Sequence, residues 1–275
     1  MNGKLYLVAT PIGNLDDITL RAIKCLKETD IIAAEDTRHT LKLLNHLEIK
    51  KKLISYHRHN EETKSSILIN YLLEGQNIAL VSDAGTPGIC DPGEEIIKQA
   101  ILNDIEIIPI PGACALINAL IASGMNTTEF AFYGFLPLNK KNRKEKLEQI
   151  KRETKTIILY EAPHKLINTL NDIQKLLGDN VKIVLAKELT KIHEEFIRGN
   201  IKEIIENIDN VKGEFIIIIE GNLKENIEKE NLNLTIDELY ENYKKDGFSK
   251  KEIIKKIAKI KNVNKNEIYQ YFLEK

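Results

Sequence analysis

The residues from 82 to 93 read Ser-Asp-Ala-Gly-Thr-Pro-Gly-Ile-Cys-Asp-Pro-Gly. Gly85, Gly88 and Gly93 permit positive φ or close backbone approach, while Pro87 and Pro92 stiffen the path. Such a loop can hold a ligand by backbone groups, without long side chains. Asp91-Pro92 reads as an N-cap and first turn for a helix over Glu94 to Leu102. Two more loops share this character, Thr10-Pro11-Ile12-Gly13-Asn14-Leu15 and Pro109-Ile110-Pro111-Gly112-Ala113. Each follows an apolar run, so all three belong at the carboxyl edge of one sheet, where α/β proteins bind ligands. Gly13 lies 22 residues before Glu35, near the ~20 expected between a dinucleotide loop and its ribose-binding acid. The loop has one glycine and no GxGxxG, which excludes the ordinary NAD fingerprint. Any one loop could be a stiff turn; three at one edge point to a ligand.

Acid–base candidates near predicted strand ends are Glu35, Asp36, Glu161, His164 and Glu188. Glu35 and Asp36 are equally suited to bonding loop amides, so residue type alone selects no base. His57 and His59 have no third ligand nearby, and no metal is expected. Cys25, Cys90 and Cys114 are odd in number and widely spaced. They form neither a disulfide framework nor a CxxC zinc pair, read best as packing residues, and suit a reducing cytoplasm.

The elements that must position these groups follow from the apolar pattern. At 275 residues, 43% hydrophobic and 29% charged, the chain has an ordinary globular composition and a prior of about two domains. Forty basic against 41 acidic residues leave a net charge of −1, which excludes a globally basic nucleic-acid coat but not local patches. Lys140, Lys141, Arg143, Lys144, Lys146, Lys151, Arg152 and Lys155 form one basic stretch, and Lys50 to Lys52 with His57, Arg58 and His59 form another. Either is a solvated face or a phosphate contact. No apolar run approaches the ~18 residues of a membrane span. Leu5 to Ala9, stopped by Pro11, reads as a buried strand rather than a signal peptide.

Short continuous apolar runs at Leu5 to Ala9, Ile31 to Ala34, Ile78 to Val81 and Ile105 to Ile108 alternate with helical patterns, through Leu20, Ile23, Leu26 and Leu41, Leu44, Leu47 among others. That predicts a mostly parallel α/β sheet over residues 1–124. Residues 125–222 carry a second strand set: Phe130 to Gly134, Thr156 to Tyr160, Val181 to Ala186, Glu195 to Arg198 and Phe215 to Glu220. The connection from the third to the fourth is too short for a crossover helix, so this sheet should be mixed. After a polar stretch over 222–233, residues 235–275 read as a small helical module, with Ser249 as an N-cap and Lys250, Lys251, Lys255, Lys256, Lys259, Lys261 and Lys265 along its later part. Docking to a phosphate backbone is its expected role; a cap on the fold is the alternative.

Four segments in order carry a resemblance: Thr10 to Leu15, Ala34-Glu35-Asp36-Thr37-Arg38, Ser82 to Gly93, and Tyr160-Glu161-Ala162-Pro163-His164. With Ser55 to Glu61 and Glu188 to Glu195, they resemble the tetrapyrrole methylase family, specifically its branch that modifies ribosomal RNA. Cys90 stands where that family usually has Ser, Ala113-Cys114 where Pro-Ser is usual, and Lys165 where Arg is usual. The resemblance implies two α/β domains with S-adenosylmethionine in the cleft between them, no metal, and a homodimer. It implies methylation of a cytidine ribose 2′-hydroxyl in the decoding region of 16S rRNA, with the rRNA or the 30S subunit as partner. The cofactor is expected at Pro11, Gly13, Asp83, Gly85, Thr86, Pro87, Gly88, Pro111 and Gly112, and valine at Gly88 is expected to block it. The competing functions are methylation of a tetrapyrrole and a non-catalytic, nucleotide-responsive RNA-binding module.

Overall fold

Four-residue apolar runs make the first sheet because they are buried on both faces. In this computed structural model, which describes residues 1–208, 211–221 and 234–273, the strands are β1 (Leu5–Val8), β2 (Ile31–Ala34), β3 (Lys52–Ser55), β4 (Ile78–Val81) and β5 (Ile107–Ile110). Their order is β3-β2-β4-β1-β5, and every pairing is parallel. Crossovers are supplied by α1 (Leu20–Glu28), α2 (Thr37–His46), α3 (Glu61–Leu73) and α4 (Glu94–Leu102), with α5 (Ala115–Ser123) following β5. Leu68, Leu72 and Ile96 pack on one face of the sheet, and Ala22, Leu26 and Leu44 on the other.

The second sheet contains β6 (Phe130–Phe135), β7 (Thr156–Glu161), β8 (Lys182–Lys187), β9 (Glu195–Asn200) and β10 (Phe215–Ile219), in the order β6-β7-β10-β8-β9. It is mixed as expected: β6 pairs parallel with β7, and the other pairings are antiparallel. Residues along β10 alternate between two cores. Phe215, Ile217 and Ile219 face α6 (Lys140–Arg152), α7 (Pro163–Leu177) and α8 (Ile201–Asn207). Ile216 and Ile218 face Leu116, Ala119 and Leu120 of α5, so a helix reached from the first sheet covers the second.

The last three helices are α9 (Ile236–Lys245), α10 (Lys250–Lys261) and α11 (Lys265–Tyr271). Thr235 with Glu238, and Ser249 with Glu252, form capping boxes that satisfy the first amides of α9 and α10. Leu239, Ile253, Ile254, Ile257 and Ile268 form a core whose members, among the described residues, all belong to this part. The linking stretch 222–233 lies outside the described residues. No helix among the described residues is long and apolar enough to cross a membrane.

Several local expectations change. The last strand of the first sheet runs over Ile107–Ile110, two residues later than its apolar run suggested, with Pro109 inside it. Proline is tolerated because β5 is an edge strand that pairs only with β1. The basic cluster that begins at Lys50 runs into a strand the apolar pattern does not reveal: β3 is an edge strand that begins at Lys52. The buried face of α1 is Ala22, Cys25 and Leu26, leaving Leu20 exposed; that of α2 is Thr40, Leu43 and Leu44, leaving Leu41 exposed.

Candidate active site

The sheet order places β4, β1 and β5 side by side, so the three Gly/Pro loops leave one edge together. They are bonded to one another. The Thr10 amide donates to the Gly85 carbonyl at 2.9 Å, and the Gly85 amide to the Thr10 carbonyl at 3.0 Å. The Thr86 hydroxyl donates to the Ala113 carbonyl at 3.0 Å. A Cβ on Gly112 would stand 2.9 Å from that of Ala9, so only glycine lets the third loop come this close.

These loops form one wall of a cleft of about 370 Å³ whose other wall is the second sheet. Ile12, Gly85, Thr86, Cys90, Asp91 and Cys114 line the first side. Tyr160, Glu161, Ala186, Leu189 and Phe215 line the other. The loop after β4 reaches across: Cys90, at φ +62°, packs its sulfur against Gly134, where a Cβ would lie 2.8 Å away. Gly134 sits at φ +62° beside the register shift of β6, so the bulge makes room for this sulfur. The Tyr160 ring stands edge-on to Phe132 and Phe135, at 5.0 and 5.6 Å between centroids. Burial pushes its hydroxyl well above the ordinary tyrosine range.

Three carboxylates gather at the end of the first sheet. Asp36 donates its amide to the Asp83 carboxylate at 2.9 Å. Burial and the Asp83 charge raise the Glu35 pKa above its ordinary value, against an amide bond from Asp83. Asp91 is pushed up to about 6, first by burial and then by the charge of Glu35. It is not a helix cap: Gly93 holds the N-cap position of α4, and its amide donates to Glu61 at 2.8 Å. The Arg58 guanidinium donates to the Cys90 carbonyl and counters both Glu35 and Asp91. Asp91 carried no signal of this in sequence, because its Pro and Gly neighbours look like helix-start chemistry.

The other acid–base candidates are tied into the scaffold. Asp36 caps α2 and grips Arg38 through two bonds of 3.0 and 2.6 Å, and the Arg38 contacts hold its carboxyl far below the usual range. Glu161, 4% exposed, accepts from the Ala162 amide at 2.9 Å and from the Thr169 hydroxyl at 2.5 Å. Arg143 continues that chain to Thr169 and Asp172, each at 2.9 Å. This arginine is thereby withdrawn from the basic stretch expected to meet phosphates. Glu188 accepts from the Glu214 amide and from Lys191, each at 2.9 Å, and both bonds favour its ionised form. His164 is exposed on the first turn of α7 and does not line the cleft. Thr169→Val preserves volume but strands the Glu161 oxygen; we expect a stability loss of about 2 kcal/mol, read by urea denaturation.

Of the residues expected to meet a cofactor, Gly85 and Thr86 line the cleft. Pro11 and Asp83 line a smaller hollow beside it, of about 40 Å³. Pro87 is buried within the loop, and Gly88 sits at φ +81° with Ile97 as the nearest neighbour of a Cβ, 3.9 Å away. Valine at Gly88 would therefore strain the loop rather than fill the cleft. Pro111 and Gly112 are exposed and do not line the cleft. Gly13 lies under Lys191, whose Cγ would be 2.5 Å from a Cβ, which makes it a contact with the second sheet. His57 and His59 meet edge-on at 6.0 Å, and no group of three or more His, Cys, Asp or Glu able to hold a metal occurs among the described residues.

Comparison with known proteins fits this architecture. Relatives named ribosomal RNA small subunit methyltransferase I are 51% identical in Halalkalibacterium halodurans and 49% in Bacillus subtilis, each covering 98% of this chain and 94% of the relative. A solved uroporphyrin-III C-methyltransferase of Thermus thermophilus, complexed with S-adenosyl homocysteine, shares the fold at a TM-score of 0.57 and 15% identity. That match covers 78% of this chain and 97% of the other. The family described as Tetrapyrrole (Corrin/Porphyrin) Methylases matches residues 4–205. That match runs from the first strand into α8 and takes in the three Gly/Pro loops of the first sheet, so the chain belongs to the tetrapyrrole methylase family.

Proposed function

We propose that the protein transfers the methyl group of S-adenosylmethionine to the ribose 2′-hydroxyl of a cytidine in the decoding region of 16S rRNA, with the rRNA or 30S subunit as its substrate. The observation that carries this reading is the similarity, over nearly the whole length, to proteins named ribosomal RNA small subunit methyltransferase I. The cleft suits the methyl donor. Its volume of about 370 Å³ lies in the range of small-molecule sites, about 300–1,000 Å³. Its walls combine apolar side chains with a few placed polar groups, including Thr86, Asp91 and Tyr160. Gly85 and Thr86 would touch the donor, while Pro87, Gly88, Pro11, Gly13, Asp83, Pro111 and Gly112 shape the loops that hold it.

When bound, S-adenosylmethionine supplies an electrophilic methyl group on a sulfonium. The protein's part is orientation: two walls fix the donor, and in-line placement of the hydroxyl provides much of the acceleration. No metal is required. On the RNA side, Lys140, Lys141, Lys144, Arg152 and Lys155 are exposed along and beyond α6, where they can neutralise phosphates.

We take residues 1–124, 125–222 and 235–275 as the three units of this enzyme and place it in the cytoplasm. A homodimer is part of the proposal; exposed Ile117 and Ile121 on α5 and Ile192, 97% exposed, support a partner surface. Methyl transfer from labelled S-adenosylmethionine to 30S particles lacking the modification tests the activity. Label mapped to one cytidine ribose is expected. Label on a tetrapyrrole instead, or RNA binding without transfer, would overturn the reading.

A further inference from the structure

Three carboxylates line the cleft among the described residues: Asp91, Glu161 and Glu214. Both oxygens of Glu161 already accept bonds from Ala162 and Thr169. Glu214 lies at the rim, 79% exposed and paired with Lys191 at 3.0 Å. Asp91 differs from both. It is half-buried, is released from helix capping by Gly93, and lies on the wall that carries Gly85 and Thr86.

We infer that Asp91 is the general base that takes the proton of the acceptor hydroxyl. This rests on the methyl-transfer reading above and deepens it. In the step, the hydroxyl oxygen bonds the methyl carbon and the carbon–sulfur bond breaks. Its electron pair stays on sulfur, so the sulfonium becomes a neutral thioether. The hydroxyl proton ends on an Asp91 oxygen, and charge balances because one cation and one carboxylate are discharged together.

The surroundings suit that task. Burial, Glu35 and Asp83 disfavour the ionised form of Asp91, while a Ser82 hydrogen bond and the Arg58 charge favour it. Tyr160 faces it from the second sheet, neutral far above physiological pH. The balance sets a pKa of about 6, so the group is ionised at neutral pH yet basic enough to accept a proton. Glu35 is then a positioning residue: it does not line the cleft and acts through its charge on Asp91.

The sign of each perturbation is fixed. Protonation below about pH 6 should remove the base, so single-turnover transfer to 30S particles rises through an acid limb there. Asp91→Asn should bind S-adenosylmethionine within about threefold of wild type by calorimetry, yet transfer at least about 100-fold more slowly. Ser82→Ala, which removes a bond to the ionised form, should move the limb to higher pH. Glu35→Gln, which removes a like charge, should move it to lower pH. A carboxyl carbon resonance titrating near the limb should disappear in Asp91→Asn, whose fold is checked by circular dichroism. Transfer by Asp91→Asn at near wild-type rate overturns the inference, as does loss of donor affinity matching the loss of rate. A limb unmoved in both Ser82→Ala and Glu35→Gln overturns it too. A wild-type protein that transfers nothing to the RNA instead removes the functional reading, and this inference with it.

Discussion

Replacing Gly85 by valine is expected to weaken S-adenosylmethionine binding by about 100-fold while leaving both sheets folded. Gly85 sits at φ +83°, and a Cβ there would stand 3.1 Å from the Ile12 side chain. A β-branched residue is a genuine outlier at such a φ, at a cost of about 1–2 kcal/mol before any clash. The crowding by Ile12 adds to this, and about 2.7 kcal/mol corresponds to the 100-fold loss. The strain falls on the two bonds that join Thr10 to Gly85, and hence on the wall of the cleft itself. Titration calorimetry with the methyl donor reads the effect; unchanged affinity in a folded variant would show that the donor does not lie against this loop. Gly88→Val should cost less, because its Cβ meets nothing nearer than Ile97 at 3.9 Å.

The second large effect concerns the carboxyl-terminal helices. A chain ended at Leu234 should bind the methyl donor normally, because among the described residues none beyond 219 contributes to the four cores of the two sheets. Its affinity for 16S rRNA should fall at least about tenfold at physiological salt, and more at low salt. Lys250, Lys251, Lys255, Lys259 and Lys265 are exposed and free to meet phosphates. Lys256 instead lies over the rings of Phe248 and Tyr243, at 4.3 and 5.2 Å, and Lys261 donates to the Leu234 carbonyl. If three of the exposed lysines each neutralise a phosphate, the salt slope should drop by about 2–3. Filter binding across a salt series measures this. Equal affinity and equal slope would make these helices a cap and leave the RNA surface to α6.

How much could be read before folding depends on whether a residue's neighbours in sequence are also its partners in space. The strands β2 and β4 were legible to the residue because burial on both faces demands unbroken apolar runs. The mixed second sheet followed from the short span between β8 and β9. The convergence of the three loops was legible too, since parallel neighbours must release their loops at one edge. Roles within that edge were not. Asp36 reads equally as an acid–base group or an amide acceptor, and Glu161 and Glu188 read as acid–base candidates; their partners are, in turn, Arg38, Thr169 and the Glu214 amide. Two of these are brought near only by the fold. Asp91 looks like a cap in sequence, and what makes it unusual is burial in the cleft wall together with the charges of Glu35 and Asp83, 56 and 8 residues earlier.

The lysine that opens β3 has a meaning unrelated to RNA. This strand ends the first sheet, so its outer backbone groups offer a template on which another chain could extend the ladder. Lys52 is exposed there, its ammonium over the Tyr71 ring at 4.6 Å, and Lys50 and Lys51 immediately precede it. Like charges stacked at each new edge oppose such growth, and a strand of four residues leaves little ladder to extend. In a protein almost neutral overall, with a charge of −1, self-repulsion gives weak protection against precipitation. The basic run therefore guards the sheet locally, keeping an all-parallel ladder from recruiting copies of itself while the chain is crowded or only partly folded.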